Sequence, residues 1–329
     1  MSEPSLRPSR EQIESAARVV HAAIAPTPQQ VWPLLSARLG AETWVKHENH
    51  TPVGAFKVRG GLVYFEELAR SGRRPHGVIC ATRGNHGQSV AFAARRHGIP
   101  TTIVVPHGNS REKNLAMRAL GAQLIEHGND FQEAREHAAV LAGEHRLEMV
   151  PSFHPLLVTG VATYALEFLS AAPALDVVYV PIGLGSGICG MLAARDALGL
   201  GTEVVGVVSA HATAYAESFA ARAPVESPAT TWLADGMACR VVEPAALALM
   251  LGGVDRMVQV TDAEVAAAMA LLYECTHNVA EGAGAAALAA ATQEAGRIAG
   301  RRVGVVLSGA NVDRAVFARV LGDATPGTE

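Results

Sequence analysis

Lysine is nearly absent from this chain. Of the 27 basic residues among 329, only Lys46, Lys57 and Lys113 are lysines, so arginine has taken almost every place where a plain surface cation serves. An ammonium can lose its proton and act as nucleophile or base, whereas a guanidinium effectively cannot. A lysine kept in such a chain is a candidate for chemistry, although for Lys46 or Lys113 taken alone chance explains the position. Excess positive charge is lacking too. With a net charge of -4, 5% aromatic residues and no basic run interleaved with aromatics, the chain has no footprint for gripping a phosphate backbone, and no nucleic acid partner is expected. The four cysteines, Cys80, Cys189, Cys239 and Cys275, lie dozens of residues apart with no C-x-x-C pair, which points to buried thiols rather than disulfides or zinc ligands. Long apolar runs are also missing, and the polar start MSEPSLRPSREQIESAARVV holds no signal core; a cytoplasmic protein with no membrane contact is expected.

What the chain does have is the makings of a well-buried α/β enzyme. Its length admits two compact domains around one cleft, and 49% hydrophobic residues with 32 glycines fit a globular core. From about residue 75, the short apolar runs GVICATR, TTIVVP and AQLIEH alternate with Ala-rich amphipathic stretches, the pattern of βαβ units in a parallel sheet. A second series, DVVYVPIG, EVVGVVSA, DRMVQVT and RVGVVLSG, repeats it further on. Two open parallel-sheet domains of three-layer type follow. The Gly, Pro and Ser-rich stretches near 71–77 and 150–160 mark the borders, so that a small domain, 75–153, is inserted into a large one, 1–74 and 154–329. After the last strand only NVDRAVFARVLGDATPGTE follows, too short for an added regulatory domain; control is expected through substrate, cofactor or oligomer.

Four segments can carry chemistry. In NHTPVGAFKVRGG, residues 49–61, turn formers precede Lys57 at the start of a helical stretch. The positive end of the helix dipole and nearby Arg59 would lower its amine's pKa; the segment alone fits a surface lysine equally well. CATRGNHGQSV, residues 80–90, joins a buried strand to a helix, so its backbone N–H groups suit a carboxylate or phosphate, with Thr82, Asn85 and His86 adding side-chain donors. VVYVPIGLGSGICG repeats this arrangement with the small residues Gly183, Gly185, Ser186 and Gly187, which let a phosphate approach the backbone. It also spells G-x-G-x-x-G at Gly185, Gly187 and Gly190, the mark of an NAD-linked oxidoreductase. That rival needs an acidic residue at the end of the next strand, where Ser209 and His211 stand instead. VVLSGANVD, residues 305–313, places Ser308 at another strand end. The histidines of HENH, residues 47–50, lack the i, i+4 spacing of a helical metal pair, and no G-x-S-x-G elbow appears. No metal site is expected.

Taken in order, with ADG at 234–236 and EGAGA at 281–285, these motifs resemble the pyridoxal phosphate enzymes of fold type II, which are tryptophan synthase β-like, and within them the serine/threonine dehydratase and serine racemase branch. The resemblance runs from PTPQQVWPLLSARLG to SGANVD. It implies that Lys57 holds the cofactor as a Schiff base and removes the substrate's Cα proton. It implies too that Phe56 packs on the ring, Asn85 touches the ring hydroxyl and Glu281 lies near the ring. Gly183, Leu184, Gly185, Ser186 and Gly187 would cradle the phosphate, and Ser308 would face the pyridine nitrogen. Thr82, Arg83, Asn85, His86 and Gly87 would hold the substrate carboxylate. A serine at the ring nitrogen does not keep it protonated, which weakens the electron sink and favours fast elimination. The implied reaction converts a β-hydroxy L-amino acid such as L-threonine or L-serine to a 2-oxo acid and ammonia, in a homodimer.

Three departures stand out. Arg83 occupies the place of the small serine that racemases use as opposite-face acid, and its proton is too tightly held for that duty. It could instead pair with a second carboxylate, as in 3-hydroxyaspartate, or face water. Ser209, Thr213 and Tyr215 stand where metal-binding members carry ligands, a poor set for a hard cation. The phosphate loop reads GLGSG rather than four glycines. Dehydration of 3-hydroxyaspartate or phenylserine, racemisation, β-replacement and a silent cofactor-binding role remain as alternatives.

Overall fold

The computed structural model describes residues 5–323; residues 1–4 of the polar start and 324–329 of the large domain's expected end lie outside the described residues. Its strands in chain order are β1 (Gln29–Val31), β2 (Glu42–His47), β3 (Val78–Ala81), β4 (Thr101–Val105), β5 (Gln123–Glu126), β6 (Glu148–Met149), β7 (Val177–Pro181), β8 (Glu203–Ser209), β9 (Arg256–Val260) and β10 (Arg302–Leu307). They form two sheets, a six-stranded one in the order β1-β2-β10-β7-β8-β9 and a four-stranded one in the order β5-β4-β3-β6. The four strands of the second sheet are consecutive in sequence, and the chain enters it between β2 and β7.

All seven strands read from apolar runs are present. Their continuous Val/Ile content is what a parallel strand covered on both faces requires, and every residue of β7 and of β3 is buried. Three strands escaped the sequence. β2 (ETWVKH) carries charged residues, β6 is two residues long, and β1 pairs antiparallel with β2. The larger sheet is therefore mixed rather than wholly parallel, the antiparallel strand lying at its edge.

The chain reverses into helices at the C-terminal ends of β3 and β7, where strand hydrogen bonding stops and helix N–H groups begin. Helix Asn85–Arg96 follows β3 and helix Ser186–Ala197 follows β7. Helix Lys57–Arg70 crosses helix Pro155–Ala171 so closely that a Cβ at Gly60 would lie 2.8 Å from the Leu157 carbonyl oxygen. Glycine at that crossing lets the two backbones touch, and it brings the start of helix Lys57–Arg70 against the rest of the site.

Candidate active site

Lys57 is placed by a turn and a clip. The Thr51 hydroxyl accepts from the Ala55 amide and donates to the Ala55 carbonyl, both at 2.9 Å. Gly54 adopts φ +67°, a left-handed conformation suited to glycine. The turn is fastened to the end of β10: the Phe56 amide donates to the Ser308 carbonyl at 3.1 Å and the Ala310 amide to the Gly54 carbonyl at 2.9 Å. Lys57, Phe56 and Ser308, more than 250 residues apart in sequence at the extremes, thus meet at one point.

Two of the three lysines, Lys46 and Lys113, are buried. Lys46 is fully buried and donates to Glu167 at 2.6 Å. Lys113, also buried, donates to Asp235 at 2.7 Å and lies 3.1 Å from Glu281. Lys57 differs. It is half-buried, its Nζ sits 5.1 Å from the centre of the Phe56 ring, and it has no carboxylate within ion-pair distance among the described residues. Burial lowers its pKa below the ordinary 10.5, while Cys239 and Glu281 nearby pull it partly back. Arg59 is not the cause that the sequence suggested. Its guanidinium is turned into the core, donating to Glu48 at 2.7 Å and to Glu167 at 2.6 Å, so desolvation rather than a neighbouring cation tunes the amine.

Around it, the loop after β3 is held in a donor-presenting shape. The Thr82 hydroxyl accepts from the Gly84 amide at 2.9 Å and the Gly87 amide at 3.2 Å. The amides of Asn85 and His86, at the start of helix Asn85–Arg96, make no such bond and remain open to an anion. Gly84 has φ +153°, and a Cβ there would run into the Lys113 side chain. The Asn85 side-chain Nδ2 donates to Glu281 at 2.5 Å and its Oδ1 accepts from Asn311 at 2.9 Å. Burial, with the Asp235 charge beside it, raises the pKa of Glu281 despite Lys113. For Lys113 itself the two carboxylates outweigh burial and hold the ammonium charged. His86 is buried and pushed down to about 3, first by desolvation and then by the charge of Lys57, so its imidazole is neutral. Arg83 is half-buried and makes no hydrogen bond or ion pair among the described residues.

The loop after β7 has the features of a phosphate cradle. Gly185 adopts φ +101° at the N-cap of helix Ser186–Ala197, and no side chain caps that helix, so its first amides are free to meet an anion. The Tyr215 hydroxyl donates to the Leu184 carbonyl at 2.9 Å and the Tyr164 hydroxyl to the Gly187 carbonyl at 2.9 Å, pinning the loop from both sides. A Cβ on Gly187 would face the Phe56 ring at 3.5 Å. At the opposite end, the buried Ser308 hydroxyl has only a long 3.4 Å contact to the Ala283 carbonyl and is free for a further partner. An anion cradle, an aromatic face, a free hydroxyl and an amine whose pKa burial lowers lie together, and this donor set fits pyridoxal phosphate. A Cβ on Gly183 would strike the Gly236 carbonyl oxygen, which ties the ADG turn to the cradle. Gly183→Ala should therefore weaken cofactor affinity about tenfold or more, given a cost of about 1–3 kcal/mol for overpacking a tight site. Titrating cofactor into the apo-protein measures this, and an affinity within twofold of wild type would contradict the cradle assignment.

Sequence reasoning missed several neighbours. Lys113, Asp235 and Asn311 bind the two sheets' loops together at Glu281 and Asn85, and Cys239, whose thiol burial raises to about 11, sits beside Lys57. The scarcity of lysine was the one signal that could have singled out Lys113. The residues at the positions where metal-binding members carry ligands are engaged internally: Ser209 accepts from the His211 amide at 3.1 Å, Thr213 donates to Glu217 at 2.6 Å, and Tyr215 holds the Leu184 carbonyl.

A half-buried amine beside two loops that present open helix N-terminal amides is an arrangement suited to holding a phosphorylated carbonyl cofactor. The chain belongs to the pyridoxal-phosphate dependent enzyme family, whose model matches residues 20–309, so its cofactor is pyridoxal phosphate and the nicotinamide alternative falls away. It is 34% identical to the L-threonine ammonia-lyase of Thermotoga maritima over 94% of this chain and 77% of that one. To the biosynthetic L-threonine dehydratase of Salmonella typhimurium it is 35% identical over 89% of its own length, but it spans only 58% of that enzyme. It is also 31% identical to the L-threo-3-hydroxyaspartate ammonia-lyase of Saccharomyces cerevisiae over 90% of both chains. Among solved structures it resembles the processed threonine deaminase isoform 2 of Solanum lycopersicum, with a TM-score of 0.87 and 28% identity over 99% of this chain and 97% of that one.

Proposed function

We propose that this chain is an ammonia-lyase that removes the β-hydroxyl and the amine of L-threonine or L-serine, giving a 2-oxo acid and ammonia. The carrying observation is that Lys57 alone of the three lysines is held without a carboxylate partner among the described residues, and burial lowers its pKa, as a base at Cα requires. When bound, the cofactor supplies the electron sink that acidifies the Cα proton. The chain supplies the rest. Open amides at Asn85 and His86 hold the α-carboxylate, Phe56 and the Tyr164-pinned cradle fix the ring and phosphate, and Lys57 carries the proton. The hydroxyl of Ser308 would offer the ring nitrogen a neutral partner that does not keep it protonated, so the electron sink would be weak and prompt loss of the β-hydroxyl favoured. Names of the relatives from Thermotoga and Salmonella support this substrate class.

A second reading rests on Arg83. A guanidinium with no partner, half-buried beside the carboxylate loop, suits a second substrate carboxylate, and one relative is named for 3-hydroxyaspartate. Assays of 2-oxo acid and ammonia over L-threonine, L-serine, threo-3-hydroxyaspartate and phenylserine separate the two. Equimolar products from threonine or serine carry the first reading. A preference for hydroxyaspartate that Arg83→Gln abolishes carries the second, and no 2-oxo acid from any of the four with cofactor bound would sink both. The resemblance further supports a homodimer in the cytoplasm and a small domain at 75–153.

A further inference from the structure

A cradle made of main-chain amides must present N–H groups to the anion and turn its carbonyls away, because every peptide that offers the one carries the other. In the loop after β7 the Gly185 carbonyl accepts from the Cys189 amide at 3.0 Å, where the hydrogen bonding of helix Ser186–Ala197 begins. The Gly187 carbonyl accepts from the Tyr164 hydroxyl at 2.9 Å. The Leu184 carbonyl stands one residue ahead of the helix and accepts from no backbone amide among the described residues. Its partner is the Tyr215 hydroxyl, at 2.9 Å. Without that bond nothing in the helix would keep this carbonyl from facing the anion.

Tyr215 is fitted to this task. It lies in the first turn of helix Ala214–Ala221, which follows β8, and is only 2% exposed. Burial raises its pKa above the ordinary 10, so the phenol keeps its proton and remains a donor. The same oxygen accepts from the Glu243 amide at 3.0 Å, at the N-cap of helix Pro244–Gly253. One hydroxyl thus ties the cradle to two further helices. Gly185 leaves room for this arrangement: a Cβ there would lie 2.8 Å from the Ala246 side chain and 3.5 Å from the Tyr215 oxygen. A divalent cation bound at this place would offer the loop the same kind of anchor. Ser209, Thr213 and Tyr215 are a set without a carboxylate, poor for a hard cation, and their oxygens are already bonded to His211, Glu217 and Leu184.

We infer that Tyr215 is a positioning residue for the cofactor phosphate: its hydroxyl turns the Leu184 carbonyl out of the cradle and serves in this chain in place of a bound cation. The inference rests on residues 183–187 being the phosphate cradle. Its test titrates the apo-protein with pyridoxal phosphate and with pyridoxal, which lacks the phosphate, reading the visible absorbance of the ligand bound at Lys57. Wild type is expected to prefer the phosphorylated form strongly. Tyr215→Phe keeps the ring and removes only the hydroxyl; it is expected to bind pyridoxal phosphate at least about tenfold more weakly, as an unpaired buried carbonyl predicts, and to leave the affinity for pyridoxal unchanged. Affinities that fall equally for both ligands, or for neither, would overturn the role of Tyr215. A wild type that binds the two equally would overturn the cradle assignment itself. A second arm needs no variant: chelation of divalent cations should leave the wild-type affinity for pyridoxal phosphate unchanged, and a loss that added magnesium or calcium restores would show that a cation holds the loop instead of the phenol.

Discussion

Lys57→Ala is expected to lose 2-oxo acid formation by about two to four orders of magnitude, the usual worth of a positioned base. The bound cofactor's visible absorbance band should vanish or shift with it. Lys57→Arg should be equally inactive, because a guanidinium keeps its charge at any working pH and can neither attack a carbonyl nor accept the Cα proton. The same property gives a pH signature. Attachment of cofactor to the apo-protein needs the free amine, so its rate should rise as pH rises through the amine's pKa and level off above it. Since burial lowers that pKa, the midpoint should fall below 10.5. Stopped-flow absorbance measures the profile; a midpoint at or above 10.5, or a Lys57→Ala variant that turns over at the wild-type rate, would remove Lys57 from its role.

Arg59→Leu should be the most destabilising single change, costing about 3–5 kcal/mol, because it strands buried carboxylates. Arg59 is wholly buried and ties Glu48 on one side to Glu167 on the other, with Thr27 and Thr163 completing its bonds. Although burial alone would raise Glu167, Arg59 and Lys46 hold it down at about 2. Chemical denaturation of the holoenzyme reads the loss, and a decrease under about 1 kcal/mol would show that the network is dispensable. Glu48→Gln added to Arg59→Leu should recover part of it, since an uncharged amide strands less than a carboxylate; the pair shares bonds and will not behave additively. The network also has a bearing on catalysis. Arg59 lies two residues from Lys57 on the same helix, so a loosened Arg59 frees the helix start that the clip to Ser308 and Ala310 aims.

Much of the site could be read in the sequence because chemistry there is local. The loops at 80–90 and 183–187 are each a strand end, a turn and a helix start within a dozen residues, and backbone donors converge at such a place whatever the rest of the fold does. The apolar runs of β3, β4, β5, β7, β8, β9 and β10 were visible for the same reason. β2 was not, because the charged Lys46 on it is held by Glu167, 121 positions away, rather than by an apolar neighbourhood. The error over Arg59 has the same origin. Adjacency in sequence suggested that its charge acts on Lys57, whereas the helix turns it into a buried pocket that only Glu48 and Glu167 define.

What the sequence by itself determined was the inventory: three lysines in an arginine-rich chain, glycine turns at strand ends, and a serine where a ring nitrogen would lie. These depend on residue type and short spacing, which local physics reads directly. The tertiary structure decided which lysine is free. Lys46 and Lys113 look as available as Lys57 along the chain, and only packing shows them neutralised by Glu167, Asp235 and Glu281, 121, 122 and 168 positions away, with Lys57 left alone. A carboxylate's reach is a few ångströms in space and has no counterpart in sequence distance, so the chemistry of each amine was settled when the chain folded.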